Sequence, residues 1–314
     1  MDLPQHRRAG LRQLALWCAA LMLAITSLSA FIRLSQAGLG CAPWPQCFGS
    51  VLRAAQDGAA APVGDSTPVM VARLAHRLTA TVALVGVATM AALCLLPRPR
   101  MWRAGLLALL LVALALGLAV LGIRTSGARV PIVAIGNLLG GMSMFAICWR
   151  LAAPHESSTQ NRRSAVRVLA AVASVVLLGQ IGLGALTSAS YAGQSCLAAL
   201  DCLHAADAAH WPWAMLDPWR EPVWDASIVP VNAAAAVTQL VHRVGAIVLV
   251  LLLVPLVILA MRDRRRGGAW TLLVLLALQL VVGVLMVGAG LALPLALAHN
   301  LIALLLLATL VRLI

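Results

Sequence analysis

Apolar runs at roughly 11–31, 76–96, 104–123, 131–150, 168–187, 236–260, 269–288 and 294–312 divide the 314-residue chain into eight membrane-length segments. Each is close to the ~20 residues that a helix rising about 1.5 Å per residue needs to cross ~30 Å of hydrocarbon. None alternates apolar with polar positions over ~10 residues, as a membrane β-strand does. A bilayer offers no water to backbone polar groups, so each run must close its hydrogen bonds within itself. The pattern therefore predicts an all-α integral membrane protein with eight transmembrane helices.

The polar interruptions also repeat. Long connections, near 32–75 and 188–235, follow the first and fifth runs. Short basic connections follow the second and sixth, and short turns follow the third and seventh. The polar stretch from Arg150 to Arg167 separates the two copies, which divides the chain into four-helix halves at 1–155 and 156–314. An even number of spans per copy makes this a parallel repeat, its pseudo-symmetric halves related by an axis along the membrane normal.

Composition refines this picture. The chain is 62% hydrophobic and 11% charged, outside the range of soluble domains. It has no lysine, and its net charge of +13 rests on arginine. Arg7, Arg8 and Arg12, then Arg98, Arg100 and Arg103, then Arg162, Arg163 and Arg167, then Arg262, Arg264, Arg265 and Arg266 all fall on one side of the membrane. The positive-inside rule makes that side, with both termini, cytoplasmic. The charge thus reports topology and contact with membrane lipids, and does not indicate nucleic acid. Assembly as a homo-oligomer is left open. Trp211, Trp213, Trp219 and Trp224 crowd the second long loop on the opposite side. The first run has a charged lead but no small-residue cleavage site before Arg33, so it reads as a retained helix. No Asp or Glu lies within a run, which disfavours a proton-coupled transporter.

Candidate chemistry lies in cysteines and histidines. Cys18, Cys94 and Cys148 sit within runs as small hydrophobes. Cys41 and Cys47 in the first long loop, and Cys196 and Cys202 in the second, share one spacing and read as a disulfide in each loop on the oxidising side. Zinc is the alternative in the second loop, where His204 and His210 are near. His6 and His155 read as surface residues, whereas His76, His242 and His299 belong to apolar runs. His76-Arg77 and His242-Arg243 open corresponding runs. Pro294-Leu-Ala-Leu-Ala-His299-Asn300-Leu301 aligns without a gap on Pro131-Ile-Val-Ala-Ile-Gly136-Asn137-Leu138. The second half therefore carries a histidine pair, and the first carries His76 with Gly136 in the partner position. His242 and His299 lie at similar depth, roughly 10 Å below the outer surface, which suits two axial ligands of one haem. Arg243 is placed to meet a propionate, and Gly245, Ala246, Gly283, Gly288 and Ala303 make room. In the first half, either a haem sits on His76 without a second protein ligand or the site is degenerate.

The chain resembles the haem A synthase family over essentially its whole length. Arg33-Leu-Ser-Gln-Ala-Gly-Leu-Gly-Cys41-Ala-Pro-Trp44-Pro-Gln-Cys47, Ala75-His76-Arg77 and Leu186-Thr-Ser-Ala-Ser-Tyr191-Ala carry the likeness, together with Cys196, Cys202, Val241-His242-Arg243 and Ala298-His299-Asn300. The resemblance implies a haem b between His242 and His299, with Arg243 and Arg77 as further cofactor-binding residues. It implies that His76, the catalytic position, holds the iron of haem O, the substrate. One ring methyl of haem O is then oxidised stepwise to formyl, giving haem A for terminal oxidases. Implied partners are the enzyme supplying haem O and the cytochrome oxidase assembly machinery, in a bacterial cytoplasmic membrane. The first half departs from the family pattern at two positions: Gly136 replaces its second histidine, and Arg73 replaces a glutamate three residues before the first. The alternative expectation is a non-catalytic haem-binding or oxidase-assembly membrane protein.

Overall fold

The computed structural model describes residues 3–36, 67–124, 130–153, 165–221 and 233–314. Its long helices are α1 (Leu3–Gln36), α2 (Thr67–Leu95), α3 (Trp102–Arg124), α4 (Pro131–Ala152), α5 (Ala165–Ala189), α7 (Ala236–Arg262), α8 (Arg266–Gly288) and α9 (Leu293–Leu313). All eight are long and apolar enough to cross a membrane. The short α6 (Ala199–Ala208) belongs to the second long loop, and no strand occurs among the described residues. The chain is a multi-pass, all-α membrane protein.

The helices pack as two closed rings of four. In the first ring α1 touches α2, α2 touches α3, α3 touches α4, and α4 returns to α1. In the second, α5, α7, α8 and α9 follow the same order and close α9 onto α5. The rings meet through α4 with α5, α1 with α9, and α4 with α9. Consequently α2 and α4 lie on one diagonal of the first ring, and α7 and α9 on the matching diagonal of the second.

Burial follows this plan. On α1 the buried residues Leu11, Ala15, Cys18, Ala19, Met22, Thr26 and Ala30 recur every three or four positions, a stripe on one helical face. The outward helix α3 buries only Gly105, Ala108 and Leu111, and leaves Leu106, Leu109, Leu110, Leu116, Val120 and Ile123 exposed to the surroundings. Lipid tails are as apolar as leucine, so close approach at small residues holds such helices together. A Cβ on Gly86 of α2 would come within 2.6 Å of Cys18 Sγ on α1, which accounts for the glycine and for the cysteine's role as a small apolar contact.

Polar ties fasten the end of the bundle that carries both termini. Arg7 donates to the carbonyls of Leu93 (2.8 Å) and Pro99 (3.1 Å), and Arg265 donates to Leu313 O (2.9 Å). The Arg312 guanidinium lies 4.4 Å from the centroid of Trp149, joining α9 to α4. At the opposite end, Arg33 donates to Ser188 Oγ at 2.7 Å, and the amide of Ile132 at the start of α4 donates to Pro218 O at 2.8 Å. The second long loop thus reaches across to a helix of the first ring.

One boundary corrects the sequence reading. α2 begins at Thr67, nine residues before His76, because Pro68 occupies the first helical turn, where its missing N–H costs nothing. His76 therefore lies within the helix, nine residues from its start.

Candidate functional site

His242 stands six residues into α7 and His299 six residues into α9, so both lie roughly 9 Å along their helices. Their helices occupy opposite corners of the second ring. Histidines at equal depth on facing helices can approach one flat ligand from its two sides.

The other diagonal supplies a seat for each ring. Gln180 on α5 lies 3.0 Å from His242 Nδ1 and donates to the His242 carbonyl at 2.7 Å. Gln279 on α8 lies 3.0 Å from His299 Nε2. One turn beyond each glutamine is a glycine. A Cβ on Gly184 would come within 3.0 Å of His242 Cε1, and one on Gly283 within 3.2 Å of His299 Cε1. The unit Gln-x3-Gly therefore occurs twice in this ring, with the amide and the bare helix surface on one face. Gly245 of α7 serves the same packing, since a Cβ there would collide with Gln180 Oε1.

Above this ring the second loop is fastened down. Cys196 and Cys202 form a disulfide with Cα atoms 5.0 Å apart, and both residues are buried. Gln239 Nε2 donates to Cys196 O at 3.3 Å. One terminal nitrogen of Arg243 donates to the carbonyls of Cys196 (3.2 Å) and Leu197 (3.0 Å). Both side chains flank His242 on α7, so the disulfide loop is tied to the N-terminal end of the helix that carries the ligand candidate.

The residues suit haem as a ligand. Imidazole is a good donor to iron, and His299 Nδ1 is buried without a hydrogen-bond partner. An unpaired buried polar atom costs about 1–3 kcal/mol. Two imidazoles, each laid against a glycine, would supply two nitrogen donors to a haem iron.

The first ring differs. His76 is half-buried on α2, with Arg73 one turn before it and Arg77 exposed directly after it. Among the described residues no side chain bonds its imidazole. Diagonally opposite, Gly136 of α4 faces Leu121 of α3, whose Cδ2 would lie 3.2 Å from an added Cβ. Leu118 fills the groove at Gly140 in the same way. α3 contains no glutamine, and α1 has none between Gln13 and Gln36. A cavity of about 520 Å³ lies between the rings, lined by Thr26, Phe31, Met142, Leu297 and Asn300 rather than by the histidines. Asn300 donates to Ala296 O at 3.0 Å in its own helix.

Cys41, Cys47 and His155 lie outside the described residues. His204 and His210 are exposed, and with Cys196 and Cys202 joined to each other, that pair offers no thiolate to zinc. Gln180, Gln279 and Gly184 escaped the sequence reading, although Gly283 did not. The recurrence of Gln-x3-Gly in the second half, and its absence from α3, was the available signal.

Residues 12–311 match the COX15-CtaA family, described as "Cytochrome oxidase assembly protein". The chain is also 31% identical over 315 aligned positions to a protein of Shewanella oneidensis named "Heme A synthase". That alignment covers 92% of this chain and 91% of the relative.

Proposed function

The chain belongs to the COX15-CtaA family of cytochrome oxidase assembly proteins, and from that premise we propose that it is a haem A synthase-type membrane oxidoreductase acting on haem O. The observation that carries this reading is the paired arrangement in the second ring. There, His242 and His299 stand on helices at opposite corners, each against a glycine and each bonded by a glutamine.

His242 and His299 would hold a resident haem b, which supplies one-electron transfer when bound. Arg243 keeps one nitrogen on the loop carbonyls, leaving the rest of its guanidinium for a propionate. In the first ring His76 would hold the substrate iron. Arg73 and Arg77 bracket it at helical spacings that share a face and suit a propionate pair. Each of two steps on the substrate methyl would add one oxygen atom at the oxidation level of water and release two electrons and two protons, the electrons going to an external acceptor in the membrane. The alcohol and then the geminal diol result, and the diol loses water to the aldehyde. Because none of the eight spans contains a carboxylate, protons in these steps would leave through water or the substrate's own carboxylates. The halves 1–155 and 156–314 are thus a substrate half and a cofactor half, in a bacterial cytoplasmic membrane with both termini inside.

A host that makes haem O but lacks its own haem A synthase provides the test. Expression of this chain is expected to yield haem A, resolved by chromatography of extracted haems. Continued accumulation of haem O alone would overturn the enzymatic reading. One observation favours the alternative, a haem-binding assembly protein without oxidation: Leu121 and Leu118 pack against Gly136 and Gly140, and among the described residues no glutamine bonds His76.

A further inference from the structure

We propose that Gln180 and Gln279 are positioning residues that hold the imidazoles of His242 and His299 in a fixed orientation for haem, with Gly184 and Gly283 providing the surfaces on which the rings lie. The inference rests on the reading of these histidines as haem ligands and assigns to the second ring a support that His76 does not have among the described residues.

Three observations carry it. First, each glutamine reaches one ring nitrogen at 3.0 Å, Nδ1 of His242 and Nε2 of His299, leaving the other nitrogen of each ring for a metal. Second, the seats come from the diagonal that bears no histidine, so all four helices of the ring contribute and the amides brace the rings from the side. Third, Gln180 is anchored as well as touching, because its amide also donates to the His242 carbonyl at 2.7 Å. A free imidazole in a helix can turn about two side-chain bonds; a bonded one resting on glycine has little room to do so.

The choice of glutamine has a chemical reason. When iron takes one imidazole nitrogen, the proton of the neutral ring must reside on the other. A carboxamide presents a donor and an acceptor on one carbon, so it can hold a bare nitrogen before metal arrives and a ring N–H afterwards. Gln180 Oε1 and Gln279 Oε1 are buried without hydrogen-bond partners. Each is therefore available to accept that N–H after a turn of the amide. A second-shell partner of this kind fixes tautomer and ring direction and tunes the metal through the ligand. The first ring lacks such partners among the described residues. His76 there has freedom that suits a substrate which must arrive and leave, whereas the seated pair suits a cofactor that stays.

The test uses the full-length protein purified in detergent, with Gln180→Leu and Gln279→Leu variants. Gln13→Leu serves as control, since Gln13 is exposed on α1. The readouts are haem stoichiometry, the low-spin electron paramagnetic resonance signal, and the midpoint potential. Each seat variant is expected to retain haem about five- to tenfold less tightly, and to show altered low-spin g-values and a displaced potential while the control matches the parent. Should a leucine variant aggregate, Gln180→Asn and Gln279→Asn, which keep the amide but shorten its reach, carry the same test. Parent-like stoichiometry, g-values and potential in the seat variants would overturn the assignment and leave the haem reading standing. A parent protein with no low-spin haem would instead sink that underlying reading.

Discussion

Gly184 of α5 lies so close to His242 of α7 that a single added methyl would stand 3.0 Å from the ring's Cε1. Helix propensity alone favours alanine over glycine by about 1 kcal/mol, so the glycine is explained by the ring rather than by its helix. Gly184→Ala is expected to shift the low-spin haem spectrum and weaken haem retention. Gly179→Ala on the same helix, where nothing lies within 4 Å of an added Cβ, is expected to leave both unchanged. Absorbance spectra of the two purified variants decide the matter, and identical spectra would refute the close-packing argument.

His242→Ala and His299→Ala should each abolish the bis-histidine low-spin signal, because the four helices of the second ring carry no third histidine to replace either one. His76→Ala is expected to leave that signal intact and to stop haem A formation in the host assay. Loss of the low-spin signal in His76→Ala would place the resident haem in the wrong half.

Cys196 and Cys202 close a short loop whose carbonyls accept from Gln239 and Arg243. A loop of this length contributes of order 2–3 kcal/mol when unstrained. Cys202→Ser should therefore lower the thermal unfolding midpoint measurably and loosen Arg243, so that haem is lost more readily on dilution. An unchanged midpoint together with unchanged haem retention would show that the staple does not hold the site.

Much of this was legible in the sequence, for physical reasons. The bilayer forces long apolar runs, so all eight spans could be read. Histidines are rare enough in such runs that His76, His242 and His299 stood out at once. Gln180 and Gln279 did not, because a single glutamine in an apolar helix has many uses, and only the packing of α5 on α7 and of α8 on α9 pairs each with a histidine. The depth of His76 was missed for a local reason: Pro68 and Arg73 lower the apolar signal exactly where proline is tolerated as a helix start. The asymmetry at position 136 was visible in the repeat, but the sequence did not reveal that Leu121 occupies the space beside it.

That occupancy shapes the prediction for Gly136. A histidine there meets Leu121 Cδ2 at 3.2 Å from its first side-chain carbon, so Gly136→His alone should be destabilised by about 1–3 kcal/mol. Gly136→His with Leu121→Ala removes the crowding and should create a second low-spin haem, counted as a rise in haem per chain. If the double variant folds and its haem content stays at that of the parent, the first ring does not take a haem on His76, and the non-catalytic reading gains.

The central claim is that the second ring keeps a resident haem while the first handles haem O as substrate. Chromatographic identification of the haems extracted from the purified native protein, with their stoichiometry, tests it most directly. The account predicts one haem b per chain, accompanied by a smaller amount of haem O or haem A. A protein that carries no haem, or haem b with never a trace of haem O or haem A when haem O is abundant, would contradict it.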